Sequence, residues 1–169
     1  NIILEKPHLN SYIDVMREIF KTDKHVLLEK PMCTSVEDAK EVVQSSKSHE
    51  GVIWIGLEYR YMATISAALD NLEAVGDIRM FAIREHRFPF LKKVNNWNRF
   101  NRNTGGTLVE KCCHYFDLIN LMADSPALDV YASGGRAVNF LDFEYKGRKS
   151  DIDDHGFVII NYSNGIRAN

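Results

Sequence analysis

The first third of the chain is built from short apolar runs separated by stretches of helical periodicity. Ile2-Ile3-Leu4, His25–Leu28 and Val52–Leu57 are three such runs, each bounded by polar residues or glycine. Runs this short and unbroken predict strands buried on both faces. Between the first two, Tyr12, Ile13, Met16, Ile19 and Phe20 recur at helical spacing within residues 9–21. Between the second and third, Thr34 and Glu37 make a T-x-x-E capping box that opens a helix running to about Ser46. Strand, helix, strand, helix, strand in this order predicts a parallel sheet with helices packed on its faces.

The pattern changes near residue 62. A helix is predicted over 63–74, stopped by Gly76, followed by a long strand from Ile78 to His86. Residues 89–104 hold Pro89 and many asparagines and read as loop. Leu108–Met122 is a strongly apolar helix, and strands follow at about 129–139, 141–146 and 156–162. Asn164-Gly165 in "NYSNGIRAN" reads as a hairpin turn with a returning strand. The fold class expected is α/β: the C-terminal part of a Rossmann-like parallel sheet over residues 1–60, then an α+β domain with a largely antiparallel open sheet over 61–169. The chain enters a strand at once from Asn1, and its last hairpin is cut short at Asn169, so it reads as an internal fragment of a longer protein.

Composition narrows the partners. The formal net charge is −2, which gives no reason to expect nucleic acid or an anionic membrane surface. No apolar run approaches the roughly 20 residues of a membrane helix. Cys33, Cys112 and Cys113 lack disulfide or zinc-finger spacing, which fits a reducing cytoplasmic setting.

Two lysines compete for a chemical role. Lys30 in "HVLLEKP" and Lys6 in "IILEKP" each follow an apolar run and precede a proline. Ligands of open parallel sheets bind beyond the C-terminal strand ends, where either lysine could orient a hydroxyl or serve only as a solvated strand end. Local sequence does not separate them. The densest cluster is "GGTLVEKCCHYFDLINLM", residues 105–122. On one continuous helix Glu110 and His114 share a face, with Asp117 near the same side. A carboxylate beside an imidazole raises its pKa and fixes its tautomer, giving a pair that can exchange an alcohol proton. The alternative is a buried, hydrogen-bonded histidine, with Asp117 as a structural acceptor. Two or three ligands on one helix do not make a metal site, and no metal is expected. The basic and aromatic residues of 85–103 suit a loop that folds over a polar ligand better than a nucleic-acid groove. Arg60, at the end of the third strand, either enters the crevice or forms a junction salt bridge.

Together these segments resemble the Gfo/Idh/MocA family of NAD(P)-dependent oxidoreductases, which includes inositol dehydrogenases and glucose–fructose oxidoreductase. The resemblance rests on the EKP of residues 29–31 before a capped helix, the strand ending in Tyr59-Arg60, and Gly105-Gly106 followed by Glu110, His114 and Asp117. It implies that Lys30, Glu110 and His114 are the catalytic and substrate-binding groups. Lys30 would position substrate and nicotinamide, and His114 would be the general acid/base. Glu110 stands where the family usually has aspartate. Pro7, His8, Glu29, Lys30, Pro31, Arg60, Trp97 and Asn98 would border NAD or NADP. Trp97-Asn98 replaces a frequent Trp-Arg pair, and Lys111-Cys112 replaces an apolar-glycine pair. The implied reaction is hydride transfer to or from a secondary alcohol of a sugar or cyclitol, in a homo-oligomer assembled through the second-domain sheet. The phosphate-binding glycine loop would precede residue 1. A non-catalytic relative that binds a sugar or nucleotide in the same crevice is the alternative.

Overall fold

The computed structural model describes residues 2–4 and 12–169. Its N-terminal sheet is parallel, in the order β1 (Ile2–Leu4), β2 (Val26–Leu28), β3 (Ile53–Ile55). Leu4 is level with Leu28, and Leu28 with Ile55, so the C-terminal strand ends line up along one edge. Helices α1 (Tyr12–Ile19) and α2 (Val36–Ser46) connect the strands. Tyr12, Ile13, Met16 and Ile19 form the buried stripe of α1 and pack with Val26, Leu28 and Val42. Leu27 alternates to the other face and is exposed.

The cap of α2 falls one residue later than the sequence pattern predicts. Ser35, in extended geometry, accepts the Asp38 N–H at 3.1 Å, so it takes the N-cap place assigned to Thr34. Glu37 and Asp38 then lie in the first turn, where negative charge suits the helix dipole.

Beyond β3, a 3₁₀ turn over Glu58–Tyr61 leads into α3 (Ala63–Asp70). This helix is shorter than predicted. Asn71 leaves helical geometry, and its side chain donates back to the Ala67 carbonyl at 2.7 Å. Leu72–Val75 forms a separate 3₁₀ turn, closed by Gly76 at φ +73. The predicted strand Ile78–His86 reduces to β4 (Met80–Phe81), because it pairs only with a two-residue strand. One further bond, Ile83 N–H to the Asn169 carbonyl, extends the ladder.

The region 94–104, expected as loop, carries a kinked 3₁₀ segment Val94–Arg99 and the short α4 (Asn101–Thr104). After α5 (Thr107–Glu110) and α6 (Cys113–Ala123) come β5 (Ala127–Gly135), a small hairpin of β6 (Glu144–Tyr145) and β7 (Arg148–Lys149), then β8 (His155–Tyr162) and β9 (Arg167–Ala168). The second sheet has the order β4-β9-β8-β5 and is antiparallel except for β4 with β9. Asn164-Gly165 makes the predicted turn between β8 and β9, with Gly165 at φ +90. The inner face of this sheet, with Ile160, Tyr162 and Ala168, packs on Ile119 and Ala123 of α6. The fold is therefore α/β: a Rossmann-type parallel sheet followed by an α+β unit with a largely antiparallel sheet. Among the described residues no helix is long and apolar enough to cross a membrane.

Candidate active site

Lys30 lies just beyond the C-terminal end of β2, after Glu29. Pro31 beside it is buried, and the Lys30–Pro31 peptide is cis. The Lys30 Nζ donates to the Glu110 carbonyl at 2.9 Å across the gap to the second unit. That carbonyl lies at a break in the segment predicted as one helix, Leu108–Met122. Glu110 and Lys111 donate back to Gly106 and Thr107, which closes α5. The Cys112 carbonyl then accepts from Tyr115 and Phe116, which starts α6 afresh. Glu110 and His114 therefore do not share the face of one continuous helix. The Glu110 charge acts instead on Arg99, whose guanidinium is buried and lies 4.0 Å over the Phe140 ring.

His114 is 1% exposed, at the start of α6. Its ring stacks on Tyr59 at 4.1 Å with an interplanar angle of 10°. Nε2 is 3.5 Å from Glu58 Oε1. Nδ1 is buried with no hydrogen-bond partner among the described residues. Burial pushes the His114 pKa below the ordinary imidazole value; Lys30 and Lys111 push the same way, against Glu58 and Asp117. Neighbouring carboxylates do raise this pKa, as the sequence argument expects, but they are Glu58 and Asp117 rather than Glu110, and the net shift is downward. Desolvation and two ammonium groups outweigh the acids.

Lys111 is also buried. Its Nζ bonds the Tyr59 hydroxyl, lies 3.6 Å from Glu85 Oε1, and sits over the Tyr59 and Tyr115 rings. Burial, then a hydrogen bond with Glu85, raises the Tyr115 pKa. Glu58 and Lys111 are neighbours of His114 to which sequence reasoning gave no role, and Tyr59 entered it only as part of the Tyr59-Arg60 pair and the polar groups of 58–61. A signal for them existed: the E-Y-R triplet closes a parallel strand, and Lys111, His114 and Asp117 recur three apart.

Arg60 is engaged at the junction, although its side chain remains partly exposed. It forms a two-point ion pair with Asp117, with Nε to Oδ2 at 2.6 Å, and joins the end of β3 to α6. Asp117→Asn is expected to cost about 1–2 kcal/mol in a urea unfolding curve, the worth of a charged hydrogen bond discounted for solvent screening at Arg60. The discount follows from side-chain exposures of 38% for Arg60 and 12% for Asp117. Trp97 is buried in the core cluster of the parallel-sheet unit, the cluster that also holds Tyr12 and Met16. Asn98 is 1% exposed and donates to the Leu91 carbonyl at 2.9 Å. Glu29 is half-buried beside Gly56. Pro7, His8 and the competing Lys6 lie outside the described residues.

These polar groups gather at the C-terminal ends of a parallel sheet, the place where ligands of open α/β folds generally bind. Residues 6–57 match the model described as "Oxidoreductase family, NAD-binding Rossmann fold", and residues 70–169 match "Oxidoreductase family, C-terminal alpha/beta domain". The chain belongs to this Gfo/Idh/MocA oxidoreductase family. It is 29% identical over 123 residues to YteT of Bacillus subtilis (strain 168), covering 68% of this chain and 27% of YteT. It is 21% identical over 160 residues to the myo-inositol 2-dehydrogenase of Thermotoga maritima, covering 92% of this chain and 44% of that enzyme. Among solved structures, levoglucosan dehydrogenase in complex with NADH and levoglucosan superposes with a TM-score of 0.78 at 19% identity, over 99% of this chain and 45% of that one. The WlbA dehydrogenase of Bordetella pertussis, in complex with NADH and UDP-GlcNAcA, gives 0.74 at 21% identity, over 98% and 46%. These superpositions establish the fold. The chain spans between about a quarter and a half of the length of these relatives.

Proposed function

We propose that the full-length protein is an NAD(P)-dependent dehydrogenase acting on a secondary alcohol of a sugar or cyclitol. The observation that carries this reading is the approach of Lys30 to the Glu110–His114 segment, which sets a half-buried ammonium near a buried imidazole at the strand ends. The donor set fits a nicotinamide and a polyhydroxy substrate. Among the described residues His114 Nδ1 is a buried nitrogen without a partner, suited to a substrate hydroxyl, and Lys30 can orient that hydroxyl. Bound NAD(P)⁺ would supply the hydride acceptor. His114, neutral at pH 7, takes the alcohol proton. Arg60–Asp117 holds the imidazole's helix against the strand ends, and Trp97 and Asn98 anchor the preceding segment. Residues 1–60 then form the cofactor part and 61–169 the substrate part.

The outer face of the second sheet exposes Met80, Tyr131, Phe157 and Ile159, which suits assembly with another copy. Three free cysteines suit a reducing cytoplasm. The test is turnover. Full-length protein mixed with NAD⁺ or NADP⁺ and a panel of inositols and aldoses should produce reduced nicotinamide with at least one polyol. Cofactor binding without turnover across the panel would favour the non-catalytic relative.

A further inference from the structure

His114 is buried, so a proton it accepts needs a route to water. Among the described residues, the titratable groups that face it come from four places: Lys30 after β2, Glu58 and Tyr59 after β3, Lys111 at the helix break, and Asp117 on α6. Lys30 and Lys111 are cations engaged with the Glu110 carbonyl and the Tyr59 hydroxyl, so they donate rather than accept. Asp117 holds Arg60 with both oxygens. The Tyr59 ring lies flat against the imidazole, and its hydroxyl points to Lys111. Glu58 is left. Its side chain is 61% exposed while that of His114 is 2% exposed, and the two approach to 3.5 Å at Nε2. It is the acceptor that joins the buried ring to solvent.

We propose that Glu58 is the proton outlet of this site, a relay residue that acts through His114. The inference rests on the dehydrogenase reading above. The alcohol O–H bond breaks as Nδ1–H forms. The Nε2–H bond then breaks as the Glu58 carboxyl O–H forms, and Glu58 gives that proton to bulk water. As product leaves, bulk water returns a proton through Glu58 to Nε2 while entering water takes the Nδ1 proton, which restores the starting tautomer with one proton released per turnover. The carbon's hydride goes to the nicotinamide and is not part of this relay. Nδ1 and Nε2 have the two environments this requires, one buried without a partner among the described residues and the other beside an exposed carboxylate.

Two measurements on the full-length protein test it. The first needs neither cofactor nor substrate: the His114 ring protons are titrated by NMR in the wild type and in Glu58→Gln. Loss of the carboxylate should move the His114 midpoint to lower pH. The second follows one turnover with a pH-indicator dye beside nicotinamide absorbance. In the wild type, proton release should keep pace with cofactor reduction at low buffer. In Glu58→Ala it should lag by about 10²-fold or more, the lower end of what a positioned proton-transfer group contributes, and small imidazole buffers should restore it. A His114 midpoint unmoved by Glu58→Gln, or dye and nicotinamide signals that stay together in Glu58→Ala, overturns the relay alone. No turnover by the wild type with any polyol overturns the dehydrogenase reading and takes the relay with it.

Discussion

His114→Gln is expected to lower kcat by about 10²–10⁴-fold, the usual worth of a positioned general acid/base. The substitution keeps a polar planar group of similar reach on the Tyr59 ring but removes the nitrogen that can take a proton. The pH dependence carries more information than the loss. Burial, Lys30 and Lys111 hold His114 below the ordinary value of 6.5, so the base form is present at neutral pH and persists into mildly acidic solution. Wild-type alcohol oxidation should therefore hold its rate as pH falls through 6.5 and decline only below it. Stability should move in a related way. The unfolded chain binds the His114 proton at a higher pH than the fold does, so unfolded protein gains protons first as pH drops. The contribution is complete above 6.5 and is lost as pH falls from there toward the folded value. Unfolding curves of His114→Gln should show a weaker acid dependence than the wild type. An equal acid dependence in both proteins would contradict the burial argument.

The parallel sheet was legible because its signal is local. Three apolar runs and the spacing of Tyr12, Ile13, Met16 and Ile19 are enough to set strand against helix, and the structure has the same order. The cap of α2 was legible in kind but not in position, since Thr34 and Ser35 are both capping residues and only backbone geometry chooses between them. The break between α5 and α6 was not legible at all. Apolar periodicity runs through Lys111-Cys112 without a proline or glycine. The partners there come from 80 residues away at Lys30 and 52 residues away at Tyr59. The direction of the His114 pKa shift failed for a similar reason. A rule about one adjacent carboxylate cannot anticipate burial and two lysines brought in by the fold. Lys30 could be preferred to Lys6 only through resemblance to a family, because the two tripeptides are identical.

Lys30→Met should be nearly as damaging to turnover as loss of His114, about 10²–10³-fold in kcat, and for a separable reason. Methionine keeps the unbranched stem and fills similar space, so the change removes the ammonium with little loss of packing. In stability, one hydrogen bond from a half-buried cation to a carbonyl is lost, worth about 1 kcal/mol. The bond is the 2.9 Å contact from Nζ to the Glu110 carbonyl. Electrostatics adds a consequence that a strut could not produce. Lys30 is the largest influence after burial holding His114 below its ordinary value, so its removal should let the His114 pKa rise. The acid limb of the rate profile should then move to higher pH in whatever activity remains, and an NMR titration of His114 should move with it. If Lys30→Met keeps full turnover and an unmoved His114 midpoint while unfolding at lower urea, Lys30 only braces β2 against the helix break, and the chemistry must be sought among Lys111, Tyr59 and Glu58.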